Sequence, residues 1–124
     1  MEKNLLFCGL GSIGQRHLRI IKKLYPNKFN IYDYKETKKE FLINSDLKIN
    51  KKIKSLSKFY NIKKIKYPEL KEKYFDFVFI TNQPSKHLKF AIKFAKLRSN
   101  IFIEKPLSTN INKLNDLLKI QKKK

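Results

Sequence analysis

The chain holds only three glycines in 124 residues, and all three lie in Gly9-Leu10-Gly11-Ser12-Ile13-Gly14. A sequence so sparing of glycine has put each one where a phosphate-binding turn between strand and helix needs it. In such a turn the first glycine makes the tight bend, the second lets the main chain approach a diphosphate, and the third lets helix and strand pack closely. The flanks supply the context that this motif requires. Leu5-Leu6-Phe7-Cys8 is a short apolar run without helical spacing, the pattern of a strand buried on both faces. Ile13, His17, Ile20, Ile21 and Leu24 then recur at three- and four-residue steps until Pro26, which predicts a helix with that stripe against the core. Its first turn offers unpaired N–H groups and a partial positive charge to an anion.

Strands and helices keep alternating beyond this point. Residues 29–33, 77–81 and 100–103 are rich in aromatic and β-branched types and read as strands. Leu88, Ala91, Ile92 and Ala95 form a second helical stripe, with Ser85 placed to cap it. Ile111, Leu114, Leu117 and Leu118 predict a last helix, which gives way to a basic tail at 121–124. In the lysine-rich middle, Leu56 to Tyr60 suits a short helix and Ile62, Ile65 and Tyr67 a third strand, while residues 42–54 carry no assignable pattern. The expectation is an α/β fold, a Rossmann-type doubly wound parallel sheet in a single domain over residues 1–120.

Lys and Arg number 30 against 10 Asp and Glu, a formal net charge of +20. Only Arg16, Arg19 and Arg98 are arginine, which leaves 30 − 3 = 27 lysines. Surfaces that read bases or clamp phosphates bidentately favour Arg, so this excess of Lys reads as compositional bias rather than a nucleic-acid surface. The lone Cys8 excludes an internal disulfide and a Cys-cluster zinc site, and it fits a reducing compartment. No apolar run reaches membrane-spanning length, so the expected location is the cytoplasm. Cys8, inside a predicted strand, reads as an inert small hydrophobe.

Asp33 stands 33 − 14 = 19 residues after the last glycine, at the end of the predicted second strand. A carboxylate there hydrogen-bonds the adenosine ribose hydroxyls of NAD and repels the extra phosphate of NADP. Lys35 and Lys38 pull the other way, so NAD is expected and NADP stays open. Neither His17 nor His87 has ligand-type neighbours at metal-binding spacing, and no metal site is expected.

Three segments together resemble a known family. The stretches 9–17, 81–87 (Thr-Asn-Gln-Pro-Ser-Lys-His) and 104–108 (Glu-Lys-Pro-Leu-Ser) look like the N-terminal NAD(P)-binding domain of the Gfo/Idh/MocA oxidoreductases, and the resemblance runs from Leu5 to about Leu118. Members oxidise or reduce sugars, cyclitols and related polyols with a nicotinamide cofactor. The resemblance implies that Gly9, Gly11, Ser12, Ile13, Gly14 and Asp33 bind the cofactor. It further implies that Thr81, Asn82 and Pro84 line it, that His87 faces it from the following helix, and that Glu104 and Lys105 sit beside the nicotinamide ribose. Lys105 is the candidate catalytic residue, an ammonium able to polarise a substrate hydroxyl, with Glu104 as its charge partner. The peptide bond before Pro106 is one that can be cis. His17 reads as a buried structural histidine as readily as a catalytic one.

Family members continue into an α/β domain that binds substrate and supplies acid and base groups, whereas this sequence stops one helix later. The resemblance therefore implies a dinucleotide-binding domain that is weakly active or incomplete alone, or one completed by a separate chain. The alternative is a non-catalytic Rossmann module whose basic surface engages a polyanion or a partner subunit.

Overall fold

The computed structural model describes residues 2–34 and 40–123. The elements are β1 (Lys3–Cys8), α1 (Ser12–Leu24), β2 (Phe29–Tyr34), α2 (Leu56–Tyr60), β3 (Lys63–Ile65), α3 (Tyr67–Leu70), β4 (Phe77–Ile80), α4 (His87–Lys96), β5 (Asn100–Ile103) and α5 (Leu114–Lys122). All five strands are parallel, in the order β3-β2-β1-β4-β5.

Alternation along the central strand builds two cores. Leu5 and Phe7 of β1 join Ile31 beneath Leu18 of α1 and Leu56 of α2, together with Leu10, Leu42 and Ile62. Leu6 and Cys8 point the other way, where Val78 and Ile80 of β4 meet Phe90, Ala91 and Phe94 of α4, with Leu117 of α5 behind. The unbroken apolar run of β1 thus reflects a strand covered on both faces.

Register then sets up the crevice. Cys8 lies level with Tyr34 and with Ile80, and Ile80 lies level with Ile103, so the carboxyl ends of β1, β2, β4 and β5 form one row. The chain leaves β1 for one face and β4 for the other, and a crevice opens above that reversal, where open α/β sheets place their ligands.

The structure corrects several expectations. The deep contacts of α1 come from Gly14, Gln15 and Leu18, while Ile20 and Leu24 of the predicted stripe are 45% and 63% exposed. They continue the line of His17, whose ring meets Phe79 and Phe102 at the β4–β5 side, so they fall on the flank where the described sheet ends. Ser85 does not cap α4; it sits in a 3-10 turn over Pro84–Lys86, and Lys86 takes the N-cap place without a side-chain bond. Tyr67 opens α3 instead of closing a strand, because Pro68 suits a helix's first turn and not a ladder. Residues 42–54 form neither helix nor strand: Leu42 is buried and Ile43 pairs with Ile49 through one bridge. The last helix starts only at Leu114, leaving Ile111 exposed, and it runs to Lys122, through the start of the expected tail.

Candidate functional site

The three glycines divide by what surrounds them. Gly9 has φ +104°, and a Cβ there would meet the Asn82 main chain at 2.8 Å. A Cβ on Gly14 would press into the Gly9 carbonyl and lie 3.0 Å from Thr81 Oγ1. These two are demanded by the fold. Gly11 has no atom within 4 Å of its Cβ position, so packing gives no reason for it and the approach of a ligand does.

Gly11 is also the N-cap of α1, with no side-chain cap and no acidic residue in the first turn. Gln15 N–H makes the first helical bond, to the Gly11 carbonyl at 2.9 Å. The amides of Ser12, Ile13 and Gly14 precede it and have no partner within the helix, which is the form of an anion site.

Across the crevice, Thr81 is bound into the turn twice: its N–H donates to the Cys8 carbonyl at 3.1 Å and its hydroxyl to the Gly9 carbonyl. Asn82 follows, with a buried side-chain oxygen that has no partner among the described residues. A buried acceptor at a crevice wall is costly unless a ligand or water reaches it. Asp33 is 3% exposed near the end of β2, in the row of strand ends. Pro84 begins the 3-10 turn and is half-buried.

A cavity of about 410 Å³ lies here, lined by Gly9, Gly11, Thr81, Asn82 and Lys86 on one side and by Tyr34, Phe41, Ile43 and Phe90 towards β2. That size suits a small-molecule site. Sequence reasoning missed the far wall and the residue that builds it. Gln15, fully buried, donates from Nε2 to the carbonyls of Leu10 at 2.9 Å and Phe41 at 2.7 Å and accepts from Ile43 N–H at 2.7 Å; Arg19 donates to the Ile43 carbonyl at 2.8 Å. No local pattern signals it, since the residues beside Gln15 at helical spacing are Gly11, Ser12, Leu18, Arg19 and Lys22.

At the end of β5, Glu104 N–H continues the ladder to the Ile80 carbonyl at 3.0 Å. Its carboxylate, expected to pair with the Lys105 ammonium, is held by His17 Nε2 at 2.9 Å, and its other oxygen accepts the Lys105 main-chain N–H at 3.2 Å. The His17 hydrogen bond is the chief cause that holds the Glu104 carboxyl below its ordinary range. Lys105 is exposed and its bond to Pro106 is cis. His17 is neither fully buried nor in the crevice. His87 is 1% exposed, with Nδ1 2.8 Å from the Pro106 carbonyl and Nε2 2.9 Å from the Asn82 carbonyl, so it stands behind the turn and not on the cavity lining. Burial pushes the Cys8 thiol far above its usual range, which leaves no thiolate for chemistry. Lys35 and Lys38, the candidate receivers of an NADP phosphate, lie outside the described residues. Among the described residues no cluster of His, Cys, Asp or Glu could hold a metal, and no helix is long and apolar enough to cross a membrane.

The family described as an oxidoreductase family with an NAD-binding Rossmann fold matches residues 3–124. No curated protein matches the chain. Among solved structures, scyllo-inositol dehydrogenase from Lactobacillus casei with bound NAD(H) and scyllo-inositol superposes with a TM-score of 0.72 at 14% identity, over 99% of this chain and 34% of that one. Myo-inositol 2-dehydrogenase from Lactobacillus plantarum gives 0.71 at 18% identity, over 99% and 34%. The WlbA dehydrogenase from Chromobacterium violaceum, in complex with NADH and UDP-GlcNAcA, gives 0.71 at 14%, over 98% and 32%. This chain spans about a third of the length of those proteins. At such identities the superpositions speak for the fold alone, and the match over residues 3–124 speaks for the family: the chain belongs to the Gfo/Idh/MocA oxidoreductases and comprises their NAD-binding Rossmann domain.

Proposed function

We propose that this domain binds NAD along the row of strand ends and serves hydride transfer with a sugar or polyol. The diphosphate lies over Gly9, Gly11 and the amides of Ser12, Ile13 and Gly14. The adenosine ribose meets Asp33, Thr81 and Asn82 line the middle beside Pro84, and the nicotinamide reaches towards Glu104 and Lys105. His87 contributes by holding the Asn82 and Pro106 carbonyls. The observation that carries this reading is the bare N-terminus of α1 behind a glycine that no neighbour requires. The residues fit the group, since the open space at Gly11 and the unpartnered Asn82 oxygen both face the need for a ligand.

Bound there, the nicotinamide supplies the hydride acceptor or donor. The chain's own contribution is position and charge. Lys105 offers an exposed ammonium to a substrate oxygen, and Asp33 favours a free ribose hydroxyl over a 2′-phosphate. The inositol and nucleotide-sugar ligands of the neighbours suggest a polyhydroxylated substrate. Hydride transfer also needs water excluded and both partners held in near-attack geometry. We assign that closure to a substrate domain supplied in the same protein or by a separate chain, supported by the two-thirds of the neighbours' length that this chain does not match. The apolar, exposed Ile20, Leu24 and Phe102 flank is compatible with such a neighbour. The lone buried Cys8 fits a cytoplasmic setting.

Titrating NADH into the domain while following its fluorescence tests the reading. Saturable binding is expected, abolished by Gly11→Asp, which places a carboxylate where the diphosphate lies, and weakened about tenfold by Asp33→Asn through the lost ribose hydrogen bonds. Folded protein without a saturable signal would sink it. The charge of +20 favours a second reading, polyanion binding, which predicts retention on nucleic acid that falls steeply with salt and ignores NADH.

A further inference from the structure

Lys105 stands between two residues that are each tied down by a histidine from elsewhere in the chain. On one side, His17 of α1 reaches Glu104 Oε2 at 2.9 Å, 87 positions away in sequence, while Glu104 Oε1 accepts the Lys105 N–H at 3.2 Å. The His17 ring is set by aromatic neighbours, edge-on to Phe102 at 4.9 Å and tilted to Phe79 at 5.9 Å. On the other side, His87 of α4 bridges the carbonyls of Pro106 and Asn82 at 2.8 and 2.9 Å. Neither ring lines the cavity.

A histidine that merely fills space needs no such partners. Here the three polar contacts of the two rings converge on the 104–106 turn or on the turn facing it. His17 couples the Lys105 turn to the helix whose N-terminus forms the anion site, and His87 couples it to the Asn82 turn that forms the crevice wall. Both acceptors of His87 are carbonyl oxygens, which have no hydrogen to give, so the ring must donate: a neutral imidazole, with one N–H, serves one of the two carbonyls and an imidazolium serves both. Three separate segments are thereby bolted around one lysine.

We propose that His17 and His87 are positioning residues for Lys105: they touch neither cofactor nor substrate and fix where the ammonium reaches at the nicotinamide end. This rests on the dinucleotide reading given above. It predicts that losing His17 affects ligands that carry the nicotinamide riboside and spares ligands that lack it, while losing His87, which also ties the Asn82 wall, weakens both kinds and the former more.

The test compares NADH with ADP, which shares the adenosine and diphosphate but lacks the nicotinamide riboside, on the same protein. Lys105→Met sets the reference, with the preference for NADH expected to fall roughly tenfold as one charge-assisted hydrogen bond is lost. His17→Phe keeps an aromatic ring against Phe79 and Phe102 but donates nothing, and it should lose the preference to a similar extent with ADP binding unchanged. His17→Gln, which restores a donor, should recover it. His87→Leu should lower the preference in the same direction while also weakening ADP; if it does not fold, His87→Gln, with two donor hydrogens, should bind both ligands in the wild-type ratio. An unchanged ratio in His17→Phe, a ratio insensitive to Lys105→Met, or an altered ratio in His87→Gln overturns the proposal.

A ligand-free readout separates this inference from the cofactor reading. The Lys105 amide resonance should move in His17→Phe and return in His17→Gln, since the His17–Glu104 contact orients the carboxylate that accepts that amide. If the amide responds and neither ligand binds, the positioning stands and the dinucleotide reading falls. If both ligands bind and the amide ignores His17, the reverse holds.

Discussion

The turn after β1 and the turn after β5 lie in one row at the carboxyl ends of the strands, yet they are held by opposite means. The first is built from main chain: Gly9 at positive φ, Gly14 against the Gly9 carbonyl, and a helix N-terminus left open. The second is built from side chains, with Glu104 gripped by His17 and Pro106 by His87. A main-chain site depends on which residues can adopt a conformation, so a Cβ alone can destroy it. A side-chain site depends on donors and acceptors brought together from far along the chain, so it fails by degrees.

The largest expected effect follows from the first half of that contrast. Gly14→Ala should destabilise the domain by about 3 kcal/mol, because its Cβ meets backbone that cannot move without shifting β1 against β4. Gly11→Ala, with open space around the added atom, should cost no more than about 1 kcal/mol, the size of an N-cap exchange. Urea denaturation midpoints measure both. Equal destabilisation would mean that Gly11 is also a folding requirement, and the argument for a ligand there would lose its footing.

Gln15 sharpens the comparison, since it is a side-chain anchor within the main-chain half. Its three hydrogen bonds hold Phe41 and Ile43 at the cavity wall. Gln15→Leu leaves the Leu10 and Phe41 carbonyls and the Ile43 N–H without that partner, at a cost of about 2 kcal/mol after water recovers part of the loss. Amide exchange should show Ile43 N–H losing protection before the β1–β2 ladder does. Unaltered protection at Ile43 would show that the 40–50 segment is held without Gln15, by Leu42 burial, the Arg19 bond and the Ile43–Ile49 bridge.

These differences also explain what the sequence made legible. Three glycines in six positions announce a backbone turn because one residue type alone meets its demands, and β1 was readable because burial on both faces leaves an unbroken apolar run. The family's Glu-Lys-Pro segment could be placed at a strand end by resemblance. The partner of Glu104 could not, since nothing local links position 104 to position 17. The α1 stripe misled for a related reason: hydrophobic spacing gives the period of a helix but not how far the sheet extends beneath it, so Ile20 and Leu24 were assigned to a core that stops short of them. Residues 42–54 were opaque because Ile43 is held from outside the segment, its N–H by the Gln15 side-chain oxygen and its carbonyl by Arg19.

Acid separates the two turns most finely. The His17 hydrogen bond holds the Glu104 carboxyl below its ordinary range in the folded protein. A carboxyl so shifted stabilises the fold above its unfolded pKa, about 4.3, and that contribution disappears as pH falls through the lower folded value. The pair is partly exposed, 23% at His17 and 19% at Glu104, so solvent keeps its contribution small. Glu104→Gln should therefore melt no more than about 3 °C below the parent at pH 6, with the gap closing as the pH is lowered towards 3. Gly9, Gly11 and Gly14 carry no ionisable side chain, so the gap between Gly14→Ala and the parent should change far less over the same range. A Glu104→Gln gap that widened in acid would reverse the sign of the linkage and show that His17 does not stabilise the ionised carboxylate, leaving packing against Phe79 and Phe102 as its remaining contribution to that turn.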